Sequence, residues 1–191
     1  MTHYALVVNA DLCTGCMACE VSCKMENNVA LGQYWNKTLR YSQGTFPDTH
    51  QFWLPSMCQQ CADAPCVNVC PTGASYRNED NIVLINKEKC IGCRYCMMAC
   101  PYGVRSWNKE VKAVEKCTMC NHLTSVGDKP ACVKNCSSKC RYYGDLDDPE
   151  SDVSKALAAA DPATIHHMND VGNHPQAAYI LTDRVGKWEW D

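Results

Sequence analysis

Sixteen of the seventeen cysteines in this 191-residue chain fall into four groups of four. Cys13, Cys16, Cys19 and Cys23 are spaced C-x2-C-x2-C-x3-C. Cys58, Cys61, Cys66 and Cys70 are spaced C-x2-C-x4-C-x3-C, with Pro71 following. Cys90, Cys93, Cys96 and Cys100 repeat the first spacing, again with a proline, Pro101. Cys117, Cys120, Cys132 and Cys136 read C-x2-C-x11-C-x3-C. Thiolates can bond one another, a zinc ion or an iron–sulfur cluster. Zinc takes its cysteines as two separated pairs, because four ligands close a tetrahedron on one atom. Here three cysteines crowd into seven residues, twice, with a fourth set apart by three. That spacing suits a cubane: a tight loop wraps three of its irons, and the fourth ligand comes from elsewhere. The pattern therefore points to iron–sulfur chemistry, with four [4Fe–4S] clusters as the expected cofactors.

Composition agrees with that choice and narrows the class. Cysteine-dense small chains are commonly secreted disulfide scaffolds, but the cysteine count is odd and MTHYALVVNADLC lacks the basic start and apolar stretch of a signal peptide. The longest apolar runs, Tyr4 to Val8 and Ala156 to Ala160, fall far short of the ~20 residues a membrane span needs. A formal charge of −3 and a pI near 6.0 give no basic footprint for nucleic acid. Each oxidised four-thiolate cluster adds roughly −2, which would carry the formal −3 to about −11. Lys24, Arg94, Lys134, Lys139 and Arg141 adjoin the cysteine groups and could offset part of this, although each alone reads as a solvated charge. No nucleotide loop or nucleophile motif is present, and the histidines are scattered. His166 and His167 form a pair in a segment that reads as surface.

The elements needed to present such loops are legible as repeats. Cys13-Thr14-Gly15-Cys16 matches Cys90-Ile91-Gly92-Cys93, and Ala64 to Cys70 matches Pro130 to Cys136. Strand-like runs, Ala5 to Val8 and Ile82 to Ile85, precede two of the groups. Gly15 and Gly92 permit a positive φ within the loop, and Pro71 and Pro101 turn the chain after it. The expected fold is α+β: strand–loop–helix units combined into two nested ferredoxin-like units. Each is pseudo-two-fold and holds two [4Fe–4S] clusters, with long loops and an irregular C-terminal tail. The outer unit takes residues 1–49 and 111–145, the inner unit 50–110. The tail, 146–191, is expected to contact a partner and to carry a short helix near 153–160. Trp188 and Trp190 in that tail either cover the body or dock onto a partner.

Paired motifs in such proteins exchange their fourth ligands. The two middle groups are close in sequence and both end in Cys-Pro, so they are paired. Cys58, Cys61, Cys66 and Cys100 then form one quartet, and Cys70, Cys90, Cys93 and Cys96 another. The outer groups pair across them: Cys13, Cys16, Cys19 and Cys136 form a third, and Cys23, Cys117, Cys120 and Cys132 a fourth. Cys140 is left over. In the repeat it aligns with Ala74 and is not expected to be a ligand. The alternative is a shifted register, in which Cys136 and Cys140 bind and Cys132 is free.

The order of the four motifs, the second and fourth spacings and the segment Gly144-Asp145-Leu146-Asp147-Asp148-Pro149 resemble the iron–sulfur subunits of the dimethyl-sulfoxide-reductase family of molybdenum enzymes, over about residues 4–150. Similar subunits serve polysulfide, thiosulfate and arsenate reductases of anaerobic respiration. The resemblance implies a non-catalytic relay of four clusters, bound to a large molybdopterin-containing catalytic subunit and in some complexes to a membrane anchor subunit. It also supports the nested pairing. Ser137 and Cys140 depart from the family, which commonly has Pro and a small residue there. In such complexes the export signal often sits on the catalytic partner, so both a cytoplasmic and a co-exported location are compatible with this sequence. The alternative functions are a free-standing polyferredoxin and a zinc-bound scaffold without a redox role.

Overall fold

In the computed structural model, which describes residues 2–190, every cysteine group follows a strand and runs into a helix. The chain begins with β1 (Tyr4–Asn9), the first cysteine loop and α1 (Ala18–Asn27), followed by a long hairpin of β2 (Asn36–Thr45) and β3 (Asp48–Met57). The second loop leads into α2 (Pro65–Asn68) and the small hairpin β4 (Ser75–Arg77) and β5 (Val83–Ile85). The third leads into α3 (Tyr95–Met98) and the hairpin β6 (Ser106–Asn108) and β7 (Ala113–Glu115). The fourth is longer, holding α4 (Asn121–Thr124) and α5 (Ala131–Lys134) before β8 (Arg141–Asp145). The rest adds α6 (Asp152–Ala158), β9 (Ile165–His166) and β10 (Ala178–Ile180).

The residues explain these elements. In β1, four consecutive residues, Ala5 to Val8, are buried, as suits a strand paired on both sides. It lies between β8, antiparallel, and β10, parallel, in a four-stranded sheet of order β8-β1-β10-β9. Helix α6 starts where Ser151 Oγ accepts the Ser154 N–H at 3.2 Å. Its Val153 is buried with Val7 and Ile180.

The C-terminal segment, expected to be an irregular tail, is thus built into the central sheet. The reason is β10, whose Ala178, Tyr179 and Ile180 are all buried. Trp188 and Trp190 pack on the main apolar core with Phe52, Leu54 and Tyr179. Trp190 meets Tyr41 edge-on at 4.5 Å, and Trp188 stacks on His166 at 4.9 Å. They cover the body.

Candidate iron–sulfur centres

The four loops share one backbone device. In each, the residue before the second cysteine is left-handed: Gly15 at φ +66°, Gln60 at +49°, Gly92 at +74° and Met119 at +53°. Repetition at four positions, two of them not glycine, shows a shared conformation imposed on the loops. At Gly15 and Gly92 there is also a steric reason for glycine. A Cβ on Gly15 would collide with the Trp53 indole, and one on Gly92 would lie 2.8 Å from Trp107 Cη2. Both indoles close over their loops.

Two cavities each bring together one expected quartet. One is lined by Cys23, Cys117, Cys120 and Cys132, with Asn27, Trp35, Asn36 and Arg141 around them. The other is lined by Cys70, Cys90, Cys93 and Cys96, with Ala74, Ser75 and Arg105. A third neighbourhood joins Cys61 to Cys58, Cys66 and Cys100. Burial pushes the Cys61 thiol up to about 11, and charge on the other three adds to the rise. In the fourth neighbourhood, Cys16 Sγ lies 3.0 Å from Ser137 Oγ, and Thr14 Oγ1 lies 3.1 Å from Ser138 Oγ. These contacts bring the turn after Cys136 against the first loop. Cys19 sits deeper, with its Sγ 3.6 Å from Thr38 Oγ1.

Cys140 is buried in this fourth neighbourhood, with its Sγ 3.5 Å from Cys136 Sγ. Its thiol donates to Cys13, which holds the Cys13 thiol below its ordinary range. Cys132 lies in the cavity with Cys120 and Cys23. None of the seventeen cysteines is joined to another in a disulfide.

Of three buried cations, sequence reasoning missed Arg105 and Lys116 and read Arg141 as a solvated charge. Arg105, Arg141 and Lys116 are 5%, 3% and 2% exposed, and among the described residues none has a carboxylate partner. Arg105 Nη2 donates to Cys66 Sγ at 2.7 Å and to Ser75 Oγ at 3.0 Å, and the same guanidinium hydrogen-bonds Cys96. Arg141 donates to Asn36 Oδ1 at 3.2 Å and to Met57 Sδ at 3.7 Å. Lys116 Nζ donates to the carbonyls of Cys117, at 2.7 Å, and Val83. The other flagged cations are peripheral. Lys24 lies over Tyr34, Arg94 over Trp107, Lys134 pairs with Asp128, and Lys139 is exposed. A signal did exist for the arginines: Arg105 follows Cys100 by five residues, as Arg141 follows Cys136.

These neighbourhoods fit anionic clusters. A buried, unpaired charge costs several kcal/mol, so three of them call for negative charge nearby. Burial pushes the thiols of Cys23, Cys117 and Cys132 up, with Cys117 at about 12, so these sulfurs become thiolates only with a strong Lewis acid bound. Arg105 Nη1, Arg141 Nε, Trp35 Nε1 and Asn36 Nδ2 are buried donors without a protein partner, and their residues line the two cavities. No three His, Cys, Asp or Glu side chains among the described residues converge tightly enough for a single ion. The sulfurs of a quartet are close enough to act on one another electrostatically.

His166 and His167 are occupied with backbone carbonyls, of Leu181 at 3.1 Å and Ala177 at 2.9 Å. Among the described residues no helix is long and apolar enough to cross a membrane.

Residues 49–146 match the family model of the 4Fe-4S dicluster domain. The chain is 40% identical to a putative dimethyl sulfoxide reductase iron–sulfur subunit of Halobacterium salinarum, over 94% of this chain and 79% of that protein. It is 37% identical to a chain of the polysulfide reductase of Wolinella succinogenes, over 96% of each. It is 34% identical to the iron–sulfur subunit of an arsenate respiratory reductase of a Shewanella species, over 92% of this chain and 94% of that protein.

Proposed function

The chain belongs to the 4Fe-4S dicluster family, among the iron–sulfur subunits of dimethyl-sulfoxide-reductase-type oxidoreductases, and on that basis we propose that it relays electrons through four [4Fe–4S] clusters to or from a large molybdopterin catalytic subunit. What supports the count of four is that two expected quartets each line one cavity beside a buried cation, while Cys58, Cys61, Cys66 and Cys100 act on one another and Cys13 and Cys136 meet at Cys140. Bound clusters of this type supply one-electron transfer with little structural change.

The ligand sets are those of the nested pairing. Cys13, Cys16, Cys19 and Cys136 make the first quartet. Cys23, Cys117, Cys120 and Cys132 make the second, Cys58, Cys61, Cys66 and Cys100 the third, and Cys70, Cys90, Cys93 and Cys96 the fourth. Cys140 stays a buried thiol beside the first. In sequence the outer unit, 1–49 with 111–145, brackets the inner unit, 50–110, with β3 crossing the boundary between them.

The quartets form a line in that order. Charge on Cys19 acts on Cys132, linking first to second. Charge on Cys58 acts on Cys117, linking second to third. Arg105 spans Cys66 and Cys96, linking third to fourth. Cys16 and Cys93 are exposed, whereas every cysteine of the second quartet is buried. The end quartets are therefore the ones accessible to electron donors and acceptors. Arg141, Lys116 and Arg105 supply positive charge along the line and hold thiolates that burial alone would keep protonated.

Anaerobic purification tests the reading. About sixteen irons per chain are expected, together with co-purification of a large molybdenum subunit. Zinc in place of iron overturns the cofactor assignment. About eight irons would overturn the count of four clusters, and an isolated monomer that shuttles electrons by itself would overturn the partner.

A further inference from the structure

Asn173 is a polar side chain 2% exposed, far in sequence from every cysteine loop. Its Nδ2 donates to Cys61 Sγ at 3.0 Å and to Tyr102 Oη at 2.7 Å. The amide orientation is fixed, because Oδ1 accepts the Val171 N–H at 3.1 Å. The turn that presents it is also set. Asp170 Oδ1 accepts the backbone N–H of Gly172 and Asn173, each at 2.9 Å, and of His174 at 3.0 Å. Tyr102 Oη donates to the Asn169 carbonyl at 2.9 Å. The backbone N–H of Ala62 and Asp63 donate to the carbonyls of His174 and Asn173. Residues 169–174 thus clip the loop of Cys61 to the segment just after Cys100.

We propose that Asn173 is a positioning residue for the quartet of Cys58, Cys61, Cys66 and Cys100, its amide N–H holding Cys61 Sγ and raising that quartet's reduction potential. The inference rests on the ligand set proposed above. Reduction adds negative charge that spreads onto the ligand sulfurs, and a donor aimed at one of them favours the reduced form. The Tyr102 hydroxyl restrains the amide and ties it to Cys100.

The test uses the full chain loaded with clusters, read by anaerobic redox titration with electron paramagnetic resonance and by iron content. Asn173→Leu keeps the volume and removes the donor. The expected result is a downward shift of one midpoint potential, with the other three and the iron content unchanged. Tyr102→Phe keeps the amide and loosens its aim, so a smaller shift of the same cluster is expected. That cluster must be the one whose spectrum Cys61→Ser alters. No shift with iron retained, a common shift of all four, or a shift in a cluster that Cys61→Ser leaves untouched would overturn the proposal. If Asn173→Leu loses iron, Tyr102→Phe decides by the same criterion. Cys100→Ser tests the ligand set separately: if it alters another cluster, the quartet is wrong while the link from Asn173 to Cys61 stands.

Discussion

Arg105 and Arg141 occupy the same place in their repeats, yet a charged residue beside a cysteine motif ordinarily reads as solvated surface. What overrides that reading is the cysteine sulfur packed beside each of them, which only the folded chain reveals. Arg105 touches Cys66 and Cys96, which belong to two of the proposed quartets. Arg105→Gln is therefore expected to lower two of the four midpoint potentials in a redox titration and to destabilise the loaded protein by about 3–5 kcal/mol in guanidinium unfolding. A fall confined to one potential would refute the bridging role. Cys140 carries the opposite expectation. Although its Sγ lies 3.5 Å from that of Cys136, Cys140→Ala is expected to retain all the iron of the parent protein. Loss of about four irons per chain would move Cys140 into the first quartet.

Among the elements, the cysteine loops depend on the hairpins that cover them. Gly15 combines a φ of +66° with the Trp53 indole of β3 against its Cα. Gly73 has a φ of +64° and open space around it. Gly73→Ala is expected to cost only the backbone strain, about 1–2 kcal/mol. Gly15→Ala must also displace an indole, so it is expected to cost more and to lose iron from one cluster; equal unfolding midpoints for the two variants would refute the covering role of Trp53. The loops, their flanking strands and helices and the short helix after the acidic turn were legible in the sequence, because spacing and apolar runs are local signals. The expected helix near 153–160 is α6, at Asp152–Ala158. The pairing of β1 with β10 was not legible, since three residues joining a strand about 170 positions away leave no local pattern. For the same reason Asn173 was invisible: a lone Asn in a polar stretch reads as a turn residue.

For the molecule as a whole, cysteines supply part of what aliphatic side chains supply elsewhere. Nine of them are buried, and several belong to the clusters of buried apolar residues. Stability is thereby tied to the ligands' occupancy. Stripping iron by chelation under reducing conditions is expected to abolish the cooperative thermal transition, measured by circular dichroism, because the thiol-lined cavities and buried cations lose their counter-charge. A stripped chain that still melted sharply would show that apolar packing suffices.

The parallel ladder of β1 with β10 also bears on how the molecule is made. Val7, Val8 and Asn9 leave the ribosome about 170 residues before their partners Ala178, Tyr179 and Ile180. Until then one edge of a largely apolar strand stays open to stray pairing with other nascent chains. Assembly of this conductor is accordingly timed by β10, and chaperone capture of ribosome-bound chains should release only once that segment has emerged.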